Sequence, residues 1–339
     1  MTATVSIAGL RQELWRKELF EDVRDDLYLS RFMGSSPTNM IQEMTNLRAE
    51  KGFKINFGLA VKLDNAGITG DSTLEGSEDQ ILTYEEEVQI DQIRNGVLLT
   101  GQMDEKQTAY DMRQNAKSLL ADWFAERLER DLLRKLCGDT TTTGHDFAND
   151  TDAYDAAHIV YAGGQSAIGN ITTANKMDCK VLDKAKQTAI LASPKVKPLR
   201  VKGKDHYVAI LHPYDAVNLR QDPVWNQAQR EANVRGEENP IFSGALGMYN
   251  GIIVHEHEYV YNYADGSESA TVSRNMLCGQ QALVLAWGRP VKWVEKLFDY
   301  ENVFGVSCGA IFGCLKPRFN SADYGTITML CAGAAASTA

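Results

Sequence analysis

QTAYDMRQNAKSLLADWFAERLERDLLRKLC, residues 107–137, decides how the rest of the chain is read. Apolar side chains recur at Ala109, Met112, Ala116, Leu119, Leu120, Trp123, Phe124, Leu128, Leu132, Leu133 and Leu136. Steps of three and four place them on one stripe of an α-helix. Charges between them fall four apart, Glu126 with Arg130, Arg127 with Asp131 and Asp131 with Lys135. Neither Pro nor Gly interrupts the run, and Gly138 follows where a left-handed residue closes a helix most easily. At helical rise the stretch is roughly 45 Å long, against about 30 Å for a helix that already spans a small domain. Such a rod suits an elongated subunit. A long core helix in an ordinary α/β enzyme would carry the same pattern.

The totals narrow the choice of function. The chain has 339 residues, 44% hydrophobic and 24% charged, which describes a folded protein of two or three domains. With 35 Lys and Arg against 45 Asp and Glu its formal charge is −10. That surface repels nucleic acid rather than gripping it, although a wall that merely surrounds nucleic acid stays possible. No run of about 18 apolar residues predicts a membrane span, and the first residues, MTATVSIAGLRQELWRKELF, lack the parts of an export signal. Cys137, Cys179, Cys278, Cys308, Cys314 and Cys331 lie far apart with no CxxC, so reduced, half-buried thiols are expected.

Residues 1–52 mix short helical pieces with breakers: a helical pattern over Leu10–Leu29, a break at Gly34–Pro37, and another turn or two over Met40–Leu47. They are too few for a core of their own and are read as an arm. Phe53–Leu63 is strand-like, Asp64–Gln80 (DNAGITGDSTLEGSEDQ) is acidic and turn-rich, and Tyr84–Thr100 is a second extended run. Together they predict a projecting β-hairpin with a long tip. Such tips are uncommon in compact domains, and a two-stranded hairpin is marginal in water, so this one should lean on another surface, a second subunit being the obvious choice.

Beyond the long helix, Thr140–Asn170 reads as an extended connection and Thr173 as the cap of a helix from Ala174 to Leu191. Tyr207–Leu211 is a short buried strand. His212-Pro213 starts a helix, Pro223 interrupts it, and Val224–Ala232 resumes it. After a Gly-rich loop at Gly236–Gly251, strands are predicted at Ile252–Tyr261, Ala282–Trp287, Val291–Val294, Val303–Phe312 and Thr326–Leu330. That order is α+β, not repeated βαβ.

Candidate chemistry is thin. His255 and His257 would share one face of a strand beside Glu256 and Glu258, a two-point metal grip with no third ligand nominated. Gly67–Gly76 (GITGDSTLEG) lacks the Lys-Ser/Thr ending of a phosphate loop, and Ala66 and Ile68 occupy places where a calcium loop needs oxygen. Ser243 follows Ile241 where a nucleophile elbow needs Gly. No catalytic residue, no cofactor and no metal is expected. A chain this long without them points to a protein whose product is a surface.

Several segments, in order, resemble the major capsid proteins of tailed bacteriophages, in particular the phage N-four-type major head protein family. They are Trp15–Leu19, Ile55–Phe57, Gly70–Gly76, Ile90–Gln92, Asp104-Glu105, His212-Pro213, Asp222–Trp225, Asn239–Gly244 with Gly247, Phe298–Tyr300, Lys316–Asn320 and Asp323–Gly325. The resemblance implies a Hong Kong 97-type capsid fold: an N-terminal arm (1–52), an extended E-loop hairpin (53–102), a peripheral domain (103–169) with spine helix 107–137, an axial domain (170–282), and returning peripheral strands with a tail (283–339). It implies self-assembly into pentamers and hexamers that tile an icosahedral head around double-stranded DNA. The partners are then the chain itself, with possible scaffolding, portal and decoration proteins, and DNA held without sequence-specific contacts or any membrane. The expected place is the virion, after assembly in the host cytoplasm. Ile68, Asp71, Leu74, Glu75, Glu78 and Ile81 are the expected inter-subunit contacts, with the acidic ones meeting a basic patch around Lys195, Lys197, Arg200 or Lys202. Two rivals stay open, an encapsulin-like nanocompartment shell and a soluble α+β metalloenzyme using residues 255–258.

Overall fold

The computed structural model describes residues 27–48, 52–60, 68–70, 75, 78, 83–107, 112–141, 147–201, 203–231, 246–300 and 302–333. After a 3-10 turn at Tyr28–Phe32 come two short parallel strands, β1 (Met33–Gly34) and β2 (Ile41–Met44). β3 (Lys54–Ala60) and β4 (Thr83–Gln89) form an antiparallel pair, and β5 (Asp91–Gly101) continues from β4 into another sheet. Two helices follow, α1 (Gln102–Gln107) and the long α2 (Met112–Cys137). Next are β6 (Ile159–Tyr161), α3 (Cys179–Leu191), β7 (Leu199–Val201), β8 (Lys204–Leu211), α4 (Pro213–Gln221) and α5 (Pro223–Glu231). β9 (Gly247–Tyr249), β10 (Ile252–Glu256), β11 (Asn262–Tyr263) and β12 (Val272–Cys278) lead to the long pair β13 (Leu283–Phe298) and β14 (Val303–Leu315). Two-residue strands β15 (Arg318–Phe319) and β16 (Ala322–Asp323) precede β17 (Thr326–Ala332).

Two sheets carry the molecule. One has the order β1-β2-β13-β14-β5; the other runs β6-β17-β12-β8-β10-β9, with β7 and β11 attached to β8 and β12. α2 lies against both. Leu120, Phe124, Leu128, Leu133 and Leu136 share a core with Leu285, Trp287 and Trp293 of β13, with Val306, Ala310 and Phe312 of β14, and with Val208, Ile210 and Met276 of the second sheet. The opposite face of that second sheet, Ala209, Leu211, Leu277, Ile327 and Met329, packs on Val181, Leu182 and Ala185 of α3 and on Trp225 of α5. Because α2 is enclosed from two sides, every residue from Asp131 to Asp139 is buried, well beyond its apolar stripe. The charges trapped there are paired: Arg127 Nε lies 3.3 Å from Asp131 Oδ2, and Lys135 Nζ donates to the Asn149 carbonyl. The Asp131–Lys135 pair expected from spacing gives way to that longer reach. A Phe such as Phe124, fully buried at this junction, is worth about 3–5 kcal/mol against Ala.

Local chemistry explains most boundaries. Gly138 takes φ +64° and ends α2 as expected. Gln102–Gln107 and Met112–Cys137 are helical on either side of residues 108–111, which lie outside the described ones and include the part of the expected helix between Gln107 and Met112. α3 begins at Cys179 and not Ala174, because Asp178 is the better cap: its Oδ1 accepts from Val181 N at 2.9 Å. Of Met40–Leu47 only the end is helical, in a 3-10 turn at Asn46–Arg48. Ile41–Met44 pairs in parallel with Leu283–Ala286, and that ladder overrides the helical pattern. Ala282–Trp287 and Val291–Val294 are one strand, kept in step with β14 across register shifts at Gly288 and at Pro290–Val291. Strand Ile252–Tyr261 stops at Glu256. His212 and Pro213 open α4 as predicted, His212 Nδ1 accepting from Tyr214 N at 3.3 Å, and Pro223 opens α5. The helical pattern before Leu27, residues 236–245 of the Gly-rich loop and residues 334–339 of the tail lie outside the described residues.

Candidate assembly surface

The expected second hairpin strand is two strands in two sheets, joined at Ile90. β4 pairs with β3, from Lys54↔Gln89 to Ala60↔Thr83. β5 then runs along β14 as the edge of the five-stranded sheet. The crossing is tight. A Cβ on Gly313 would stand 1.8 Å from the Gln89 carbonyl oxygen, so only glycine lets β4 pass over β14 there. Asn149 clips the crossing from the other side, hydrogen-bonding the backbone of both Gln89 and Cys314.

The root of the hairpin does lean on another surface, but on one within its own subunit and not on the second subunit that was the obvious choice. Ile55 and Val88 pack on Val284, Ala286 and Leu315, with Phe57, Ile90 and Met44 around them. A second support comes from residues 316–324. The Phe319 ring meets Phe57 edge-on, with centroids 6.1 Å apart. Lys316 Nζ lies 2.9 Å from Asp323 Oδ2, a fully buried pair, and Arg318 NH1 lies 3.2 Å from Asp152 Oδ1. Burial pushes the Glu86 carboxyl of β4 up, Asp152 adding to the rise and Arg318 opposing it.

The face of the β13–β14–β5 sheet on which the root sits is the one turned away from α2. Antiparallel pairing stands residues abreast in rows. Arg289, Ile311 and Gln92 form one row on this face, followed by Lys292, Gly309 and Arg94, then Val294, Ser307 and Gly96, then Lys296, Gly305 and Leu98. The intervening rows, including Trp293, Cys308 and Asn95, face α2. In these four rows Arg289, Ile311, Lys292, Ser307 and Gly305 are half-buried and Gly309 is buried. Arg94, Leu98, Val294, Lys296 and Phe298 are all exposed, and Tyr300 beyond them is wholly so.

Of the expected contact residues, Ile68 is half-buried and Glu75 and Glu78 are exposed; Asp71, Leu74 and Ile81 lie outside the described residues. Lys195 and Lys197 are exposed, Arg200 Nε lies 3.2 Å from Asp205 Oδ1, and Lys202 lies outside the described residues. Sequence reading missed Arg94, Arg289 and Lys292. Arg94 is nearly two hundred positions from the other two, and the turn of the chain that aligns Arg289 with Lys292 is a bulge no periodicity reveals.

The titratable segment 255–258 is a structural joint. His255 Nδ1 lies 2.6 Å from Tyr28 Oη, and His257 Nε2 lies 3.3 Å from Glu129 Oε1. Each ring is thus engaged by a different element, the Tyr28 turn and α2. No group of three His, Cys, Asp or Glu side chains suited to a metal occurs among the described residues. A cavity of about 480 Å³ beside this joint is lined by Arg130, Arg134, Cys137, Asp139, His212 and Glu258 with tyrosines 214, 259, 261 and 263.

The comparisons agree with this geometry. The model of the family described as phage capsid protein matches residues 3–334. The major capsid protein of Pseudomonas phage KPP25 is 29% identical, over 94% of this chain and 94% of that one. Among solved structures, the capsid of Ralstonia phage GP4 is 31% identical, with TM-score 0.81, over 92% of this chain and 93% of that one. The capsid protein of cyanophage Pam1 shares the fold at TM-score 0.77, with 24% identity over 90% of this chain and 92% of that one. With a mixed helix-and-sheet architecture of the Hong Kong 97 kind and a family match along nearly its whole length, the chain belongs to the phage capsid proteins.

Proposed function

We propose that copies of this chain close into pentamers and hexamers that tile an icosahedral head of a tailed phage around double-stranded DNA. The residues divide as arm 1–52, hairpin 53–102, peripheral domain 103–169 and 283–339, and axial domain 170–282. The whole-length family match carries the reading. The half-bare sheet face supports it, because a surface of exposed Leu98, Val294 and Phe298 is finished by an adjacent copy better than by water. Closed rings need heterologous contacts of this kind, one patch on one copy meeting a different patch on the next. The role is structural and not enzymatic, and it sets aside the nanocompartment and metalloenzyme readings. A net charge of −10 lets packaged DNA slide without base-specific contact. Scaffolding, portal and decoration proteins are the further partners, and assembly takes place in the host cytoplasm.

The test is size-exclusion chromatography and negative-stain microscopy of the purified chain. Shells or capsomers are the expected product; a stable monomer or dimer overturns the reading. Leu74→Asp, in the hairpin tip, should abolish closed shells, and normal shells from that variant remove the tip from the contact.

A further inference from the structure

We infer that the cavity between the C-terminal part of α2, the start of α4 and residues 258–263 binds an organic cation, an ammonium or guanidinium group on an apolar stem. Glu258 is its counter-charge, and the rings of Tyr214 and Tyr263 are its walls. Binding is a property of the single chain and stands apart from the capsid reading.

The cavity is a built one. Its volume of about 480 Å³ falls within the roughly 300–1,000 Å³ of small-ligand sites. Arg130 and Arg134 come from α2, His212 and Tyr214 from the start of α4, and the rest of the aromatic lining from EYVYNY, residues 258–263, with a tyrosine at every second position. Hydrogen bonds hold the inner rings: Tyr259 Oη donates to Glu126 Oε1 at 3.0 Å and Tyr261 Oη to Asp265 Oδ2 at 2.9 Å. The outer rings lean on neighbours. Tyr263 lies 4.7 Å from Tyr261, and Tyr214 lies 4.9 Å from the His212 imidazole, centroid to centroid.

Two of the four rings already carry a cation. The Arg130 guanidinium carbon stands 4.5 Å from the centroid of Tyr259, and that of Arg274 stands 4.0 Å from the centroid of Tyr261. Each guanidinium has a carboxylate as well, Arg130 pairing with Glu126 and Arg274 with Asp265. A ring face attracts a cation through its quadrupole, and a carboxylate alongside fixes the charge in place. The chain thus makes the ring-plus-carboxylate arrangement twice around this cavity. Tyr214 and Tyr263 have no such cation among the described residues, and they are 43% and 55% exposed.

Charge gives the sign of the ligand. Arg130, Arg134, Asp139 and Glu258 are the charged side chains of the lining. Arg130 is held by Glu126, and Arg134 Nε lies 3.5 Å from Asp139 Oδ2. Glu258 is exposed and has no hydrogen bond or ion pair among the described residues. His212 adds no positive charge: its Nδ1 accepts from Tyr214 N, and burial holds its pKa below the ordinary value. The charge left over is therefore negative. An anion would have to take an arginine from Glu126 or Asp139, whereas a cation meets a carboxylate and two ring faces that are already waiting. Two sources supply this chemistry, a free amine and a Lys or Arg side chain of another copy. Because the mouth is open to water, binding should weaken with salt.

Titration calorimetry of the purified, unassembled full-length chain with L-argininamide at low salt tests the site. One molecule should bind per chain, at least tenfold more weakly to Glu258→Gln and to Tyr263→Ala, while both variants melt as the wild type does. No binding to the wild type, or equal binding to wild type and Glu258→Gln, overturns the site. So does inorganic phosphate that binds the wild type and not Arg130→Ala, which would assign the cavity to anions. Shell yield then separates the two sources. If Glu258→Gln loses argininamide and also forms at least fivefold fewer shells, the cation is a side chain of another copy. If it loses argininamide and assembles as the wild type does, the cation is a free amine. A wild-type chain that forms no shells but binds argininamide as expected overturns the capsid reading and leaves the site standing.

Discussion

Asn149 pairs with Gln89 as if it were a strand residue. Its Oδ1 accepts from Gln89 N at 2.9 Å and its Nδ2 donates to Gln89 O at 3.0 Å. The same Nδ2 reaches Cys314 O at 3.2 Å, and the Asn149 carbonyl takes a hydrogen bond from Lys135 of α2. One side chain therefore ties the hairpin to the sheet and, through its own backbone, to the long helix.

Asn149→Ala removes those bonds and should destabilise the fold by about 1–3 kcal/mol. The local signature is sharper than the global one. Hydrogen exchange at the Gln89 amide should speed up well beyond its neighbours in β5. Unchanged protection at Gln89 would mean that the clip contributes nothing to the crossing.

Asp215 makes stability depend on pH in the opposite sense to most carboxylates. It is wholly buried at the first turn of α4, and burial raises its pKa from 3.8 to about 6, against the lowering pull of hydrogen bonds from Asn275, Ser273 and Asn218. The folded state thus prefers the protonated acid. Its contribution is fully present below about pH 4 and is lost as pH rises through 6, a swing of about 3 kcal/mol for a shift of this size. Asp215→Asn should melt at a higher temperature than the wild type at pH 7, and the gap should close near pH 4. A gap that does not change with pH rules out the buried acid as its source.

The six cysteines should be silent in the native protein. All are buried, and burial raises Cys137 and Cys308 to about 11 and Cys179, Cys278 and Cys314 to about 12. Cys331 is raised well above its ordinary value. Thiolate is the reactive form, so a disulfide reagent at pH 7.5 should label none of them until denaturant is added. Rapid labelling of any one in the folded chain would contradict its placement.

How much of this was readable from the chain depends on range. α2, the YVAIL strand and the two proline-led helices depend on neighbours within a few residues, and periodicity finds them. Met40–Leu47 fails because its fate is set by Leu283–Ala286, far along the chain. The break at Ile90 fails because nothing in YEEEVQIDQIRNG announces that Gln89 and Asp91 belong to different sheets; the deciding contact is with Gly313 and Asn149. The row of Lys292, Gly309 and Arg94 was invisible for the same reason. The tip acids were legible as a cluster because they are contiguous, whereas Arg94 and Lys292 become neighbours only once Gly309 lies between them.

The join at Ile90 also sets how the subunit bears load. Backbone runs without interruption from the far end of the hairpin into β5, so tension applied at the tip is delivered lengthwise to the β5–β14 ladder. Pulled in that direction, the rungs from Asp91↔Phe312 to Gly101↔Val303 are strained together as a shear joint instead of opening one by one as a zip. A container stretched by pressure from within would meet its stiffest resistance along that line.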